Sequence, residues 1–337
     1  MSLLFVMAGR AFCGYLEDGN AMFRKGDYDG AIVNFTKAIE QDQNNYVAYV
    51  FRGYMKQIKG DLDGSLADYN KAVEINPSYA LTYNNRGNVK KAKGDFDGAL
   101  ADFTKAIQLK PDYVDAYYNR GIAKKQKDDF DGAIADYSKA IQLKPDYADV
   151  YNDRGNAKKH KGNLDGAIED YNKCIELKAD DVLAYNNRGL VKQAKGDLDG
   201  SLADFTKAIE LNPNYALAYN NRGWCEFQKN DFDSAINDAT RAIQMNSKDG
   251  DFYSTRGWAL YGKGDVTGAL GDCKKAVELE GVNSPSAAGD QGMLNFINGD
   301  YGAAVVSWEK AIHHDASVQR ELQPWIEKAK AKQSAAK

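Results

Sequence analysis

The sequence predicts an all-α fold, a solenoid of antiparallel helix pairs, and three observations carry that prediction. First, the stretch 83–111, YNNRGNVKKAKGDFDGALADFTKAIQLKP, returns in close copies every 34 residues. The glycine of its Arg-Gly pair reappears as Gly53, Gly87, Gly121, Gly155, Gly189, Gly223 and Gly257. Gly19 lies one interval upstream and Gly292 lies 35 residues downstream, which makes nine copies. Second, apolar side chains within each copy follow the 3.6-residue period of an amphipathic helix. Third, a residue that tolerates a left-handed backbone stands at one fixed place in every copy, where a helix must end and the chain must turn. Self-similarity of this length belongs to stacked arrays, in which no unit buries its apolar face alone and each neighbour completes the core.

Numbering each copy with its glycine as position eight gives units at 12–45, 46–79, 80–113, 114–147, 148–181, 182–215, 216–249, 250–284 and 285–318, after an N-terminal extension 1–11. The first half of each unit is helix A. Position fifteen closes it with Gly26, Gly60, Gly94, Asp128, Gly162, Gly196, Asn230, Gly264 and Gly299. Position sixteen is Asp or Asn in all nine units, Asp61, Asp95 and Asn163 among them, and is suited to cap helix B. In the third unit Phe96, Ala99, Leu100, Phe103, Ala106 and Ile107 fall at i, i+3, i+4, i+7, i+10 and i+11, one apolar stripe whose small members let helices approach closely. The last units deviate. One extra residue sits between Gly281 and Pro285, and the ninth unit has Ala288 where Tyr is expected and Trp308 as its core aromatic. Beyond it Leu322, Trp325, Ile326 and Ala329 share one face of an otherwise Lys-, Glu- and Gln-rich segment, so 319–337 is expected to be a capping helix that frays from Lys330 onward.

Tyr83, Gly87, Ala99, Phe103, Ala106 and Pro111 stand in the register of the tetratricopeptide repeat (TPR), which the chain resembles from residue 12 to 318. The resemblance implies a right-handed superhelix that binds an extended peptide or a partner helix along the concave surface lined by helix A.

Composition narrows the function classes. With 48 acidic against 44 basic residues the formal net charge is −4, which argues against non-specific nucleic-acid binding. Nothing approaches eighteen consecutive apolar residues, so no membrane span is expected. Cys174 replaces a packing Ala, Cys273 replaces a core aromatic and Cys225 fills an inward helix position, so these read as reduced core thiols. The N-terminal MSLLFVMAGRAFCG lacks a basic residue ahead of its apolar run, and Phe12 before Cys13 suits a lipoprotein poorly. A cytoplasmic protein is expected, the alternative being an exported one with a truncated signal.

Position seven departs from the usual TPR pattern, which is apolar there. It carries Arg52, Arg86, Arg120, Arg154, Arg188, Arg222 and Arg256, and position 23 of helix B carries Asp68, Asp102, Asp136, Asp170, Asp204, Asp238 and Asp272 in the same units. The first and ninth units lose both together, having Asp18 with Asn34 and Gln291 with Ser307. Coincident loss predicts an intra-repeat ion pair rather than a phosphate-binding ladder, because a lone buried guanidinium is costly and an absent pair is not.

The expected ligand groove presents positions two, five, six, nine, twelve and thirteen. Asn85, Asn119, Asn187 and Asn221 at position six form a column that could bond a peptide backbone, similar to the asparagine ladder of the TPR superhelix in O-linked GlcNAc transferase. The alternative is that Asn is simply the common TPR residue there. Asn84 at position five and Asn88 at position nine widen the strip. Four such contacts at roughly 0.5–1.5 kcal/mol each supply at most about 6 kcal/mol, against about 8 for micromolar binding, so an anchor is needed. Trp224, Phe227, Trp258 and Tyr261 are expected to cluster as that anchor at the C-terminal end, unless they fill space against the ninth repeat. Lys91, Lys125 and Lys159 at position twelve suggest a preference for acidic segments.

These features predict a non-catalytic scaffold for a protein or peptide partner, with no cofactor or metal site, since His160, His313 and His314 propose none. The rivals are the substrate-docking subunit of a separately encoded enzyme and an RNA-binding helical repeat. The Lys-Asn-Asn-Lys-Arg clamp by which TPR domains grip heat-shock chaperone termini is not matched, because position five is never Lys and position six never Arg.

Overall fold

The computed structural model describes residues 13–281 and 284–335. The extension 1–11, the Cys13 side chain and part of the insertion before Pro285 lie outside them. The described residues are all helical apart from turns, and their packing divides the chain into two compact units that meet in sequence at Gly162 and Asn163.

The first unit contains α1 (Cys13–Arg24), α2 (Tyr28–Gln41), α3 (Tyr46–Ile58), α4 (Leu62–Ile75), α5 (Ala80–Ala92), α6 (Phe96–Leu109), α7 (Val114–Lys125), α8 (Phe130–Leu143) and α9 (Ala148–His160). The second contains α10 (Leu164–Leu177), α11 (Val182–Lys195), α12 (Leu198–Leu211), α13 (Ala216–Gln228), α14 (Phe232–Met245), α15 (Gly250–Lys263), α16 (Val266–Glu280), α17 (Pro285–Ile297), α18 (Tyr301–His314) and α19 (Gln319–Ala335), with a 3-10 turn at Ala316–Val318.

Helix α6 shows how the repeat folds. The Asp95 carboxylate accepts from the Gly98 N–H and supplies one of the partners that a helix start lacks. The helix buries Ala99, Phe103 and Ala106 completely and stops at Lys110, whose extended backbone is what a residue before Pro111 prefers. Burying a phenylalanine ring contributes about 1.5–3 kcal/mol. Its partner α5 can reach it only because position eight has no side chain: a Cβ on Gly87 would lie 2.7 Å from the Phe103 ring. The helix-to-helix turn works as expected even where glycine is absent, since Asp128 and Asn230 take φ of 59° and 64°.

The Arg and Asp residues pair within repeats. Arg120 donates through Nε and Nη2 to the two oxygens of Asp136 at 2.9 and 2.6 Å, and the same fork joins Arg52 to Asp68, Arg86 to Asp102, Arg188 to Asp204, Arg222 to Asp238 and Arg256 to Asp272. Two further contacts extend the pair. The remaining Nη1 reaches the preceding repeat, as from Arg120 to Thr104 at 3.1 Å and from Arg154 to Ser138 at 3.0 Å, so the guanidinium ties neighbours together. Lys56, Lys90, Lys124 and Lys192 share the same buried carboxylates. Each guanidinium also lies over the Tyr three residues earlier, as Arg120 does over Tyr117 at 5.6 Å.

Cys174, Cys225 and Cys273 are buried free thiols, and burial pushes the Cys225 thiol up to about 12. Helix α19 is continuous to Ala335, so the fraying expected from Lys330 is corrected over the described residues. Lys328 lies 4.8 Å from the centre of the Trp325 ring, Lys332 lies 5.6 Å from that of Tyr301, and Lys330 pairs with Glu309.

Candidate functional site

In the first unit, helices α5, α7 and α9 carry the predicted groove positions. Their asparagines first serve the array itself. Asn119 at position six donates to the side-chain carbonyl of Asn84 one repeat earlier at 3.0 Å, and Asn84 is only 5% exposed. Asn84 is therefore a buried connector rather than part of a ligand strip, because a buried amide must find its partners inside the protein. Asn85, Asn88 and Asn119 remain half-buried on the surface, and the Asn119 bond uses one of its two amide protons.

The lysines divide into two kinds. Lys125 donates to Asp153 at 2.8 Å, and Asp153 also accepts from Tyr118 at 2.8 Å, so this lysine is already neutralised. Asp153 holds position six of its repeat where Asn is usual, a substitution visible in the sequence. Lys91 and Lys159 are half-buried and form no ion pair among the described residues. Burial lowers the pKa of both. Nothing in the sequence period separated Lys91 and Lys125 from Lys90 and Lys124, one residue earlier, which are the cations of Asp102 and Asp136.

In the second unit the same amide contact recurs between Asn221 and Asn186 at 2.9 Å, and Asn187 is half-buried. The aromatic cluster forms as expected but is not an open anchor. Trp258 is 3% exposed and Trp224, Phe227 and Tyr261 are half-buried. The cover is α19: Trp325 packs edge-on to Trp258 at 5.3 Å and to Tyr261 at 5.7 Å, and Glu321 accepts from Trp224 Nε1 at 3.2 Å and Gln228 Nε2 at 2.8 Å. The apolar face of α19 had to be buried somewhere, and the ring cluster is the large apolar surface it meets. The expected exposed patch is thus corrected to a core of aromatic rings closed by the chain's own last helix.

Among the described residues, no group of three His, Cys, Asp or Glu could hold a metal ion, and no helix is long and apolar enough to cross a membrane.

A family model described as TPR repeat matches residues 53–94, 87–128, 123–162 and 155–196, and models described as tetratricopeptide repeat match 182–215, 205–237 and 226–288. A tetratricopeptide repeat protein from Parabacteroides merdae is 20% identical, with a TM-score of 0.56 over 75% of this chain and 100% of its own. The Cut9-Hcn1 hetero-tetramer of the APC/C matches at 19% identity and a TM-score of 0.60 over 84% of this chain and 55% of that one. These two show the fold. YrrB, described as a TPR protein with an unusual peptide-binding site, is 26% identical with a TM-score of 0.48 over 55% of this chain and 95% of its own. Among curated proteins, none matches the sequence.

Proposed function

Because the chain belongs to the tetratricopeptide repeat family, whose members serve as protein-interaction scaffolds, we propose that it is a non-catalytic scaffold whose first unit binds an extended acidic peptide segment along α5, α7 and α9. The observation that carries this reading is the state of Lys91 and Lys159. Two half-buried ammonium groups outside any ion pair, Lys91 with only the more distant Asp153 to favour its charge and Lys159 with no such group, leave a desolvation cost that an incoming Asp or Glu would offset. Each charge-assisted bond contributes about 1.5–3 kcal/mol, and together with amide contacts of about 1 kcal/mol each these reach the micromolar range. In this reading the asparagines hold backbone and the lysines select charge, while the aromatic cluster of the second unit secures α19.

Fluorescence anisotropy tests it, with a labelled peptide of alternating Glu and Ser and a matching peptide of Lys and Ser. The acidic peptide should bind, more weakly as salt rises, and the double variant Lys91→Ala with Lys159→Ala should weaken it at least tenfold. Asn119→Ala should cost about 1 kcal/mol whatever the side chains of the peptide. Equal binding of both peptides, or an unaffected double variant, would move the site away from this face.

A further inference from the structure

The second unit contains a cavity of about 560 Å³ between the helix A faces and the start of α19. Its lining is chemically one-sided. Four carboxylates, those of Asp251, Asp290, Asp315 and Glu321, share the wall with the indoles of Trp224 and Trp258, and no Lys, Arg or His lines it. Asp290 is 2% exposed, and its Oδ1 accepts only neutral donors, Ser254 Oγ at 2.8 Å and Trp258 Nε1 at 3.0 Å. Glu321 likewise takes its two bonds from an indole and an amide. A second and independent feature is Asn220. It lines the cavity, is 9% exposed, and its side-chain carbonyl Oδ1 is buried without any hydrogen-bond partner. A buried carbonyl without a donor costs about 1–3 kcal/mol, a cost that a donor reaching it from the cavity would recover.

We infer that this cavity is a cation site that takes a primary alkylammonium group, its three N–H donors meeting Asp290, Glu321 and the Asn220 carbonyl and its methylene stem lying against the two indoles. The chemistry fits on each count. Burial pushes the Asp290 carboxyl, bonded to neutral donors, up to about 7, so an ammonium beside it would restore its charge; Glu321 already has Arg320 nearby and adds an acceptor, indole rings attract cations, and an aliphatic stem suits an apolar wall. A bare metal ion fits less well, because no group of three carboxylate, His or Cys ligands converges among the described residues. The ammonium could be carried by a free amine or by a lysine side chain of another protein. This inference uses only residues of the second unit and does not depend on the acidic-peptide reading of the first.

The test is a titration of the full chain, followed by tryptophan fluorescence and calorimetry, with three probes: n-pentylamine, Nα-acetyl-lysine N-methylamide and its uncharged analogue Nα-acetyl-norleucine N-methylamide. Either amine should give a saturable signal, and the norleucine compound should bind at least tenfold more weakly than its lysine counterpart. The tighter of the two amines assigns the source, as a small molecule or a protein side chain. Asp290→Asn should weaken amine binding at least tenfold, with its fold checked by circular dichroism. Asp251→Asn changes an exposed side chain and should weaken binding about threefold without touching the core. The inference is overturned if norleucine matches lysine, or if Asp251→Asn and a folded Asp290→Asn both bind as the parent does.

Discussion

Glu226 stands at position eleven, where earlier repeats place the lysines that share the buried aspartates. Its side chain is 15% exposed and lies 4.0 Å from Arg222 Nε, and its Oε2 is buried without a hydrogen-bond partner. Burial first, and the Asp238 carboxylate second, push its pKa up to about 7. Between about 4.5, the ordinary value, and 7 the folded chain keeps a proton that the unfolded chain releases. Stability therefore falls as pH rises through that window, and the full penalty, roughly 3 kcal/mol at 1.36 kcal/mol per unit, is present above it. Glu226→Gln should raise the thermal midpoint by several degrees at pH 8 and leave it unchanged at pH 4. An equal gain at both pH values would assign the effect to packing instead. Glu226→Lys should stabilise further at pH 8, because it restores the cation that Lys124 supplies to Asp136.

At the scale of the element, the question is what each helix loses when one contact is cut. Arg120→Leu removes the fork to Asp136 and the tie to Thr104 at once, leaving a carboxylate whose side chain is 5% exposed with Lys124 alone. A loss of about 3 kcal/mol is expected, and adding Asp136→Leu should recover much of it. Strictly additive losses in that double-mutant cycle, measured by urea unfolding, would reject the pairing. Helix α19 depends on a different contact. Trp325 touches Trp258, Tyr261, Phe296 and Trp308, so Trp325→Ala should cost about 3–5 kcal/mol and loosen the helix. Red-shifted emission and binding of an apolar dye would report the uncovered rings, and an unchanged spectrum would show that α19 is held elsewhere.

Across the whole molecule, stability in a repeat array is a sum of local terms and nearest-neighbour interfaces rather than one cooperative core. All four tryptophans, Trp224, Trp258, Trp308 and Trp325, lie in the second unit, which gives each unit its own signal. Arg120→Leu should therefore lower the early part of the circular-dichroism transition in urea while the tryptophan midpoint stays within error. If both midpoints fell together, the array would be unfolding as one body.

The sequence by itself determined the repeat. A 34-residue period, a left-handed position before each helix B and an aspartate or asparagine cap are local requirements, and locally required residues appear wherever the backbone needs them. It also determined the Arg and Asp pairing, because both partners vanish together in the first and ninth units. Tertiary structure decided the rest. The period aligned Lys90 with Lys91 and Asn84 with Asn85, yet one residue of rotation about a helix separates a buried partner from a half-buried surface group. The aromatic spacing was legible, but its cover was not, since α19 lies 97 residues along the chain from the tryptophan its Glu321 bonds. The cavity carboxylates come from α15, α17 and α19 and from the turn before the last helix, and no pattern along a chain records which distant charges line one space. The burial of Asp290 among neutral donors is a property of that space, and only folding creates it.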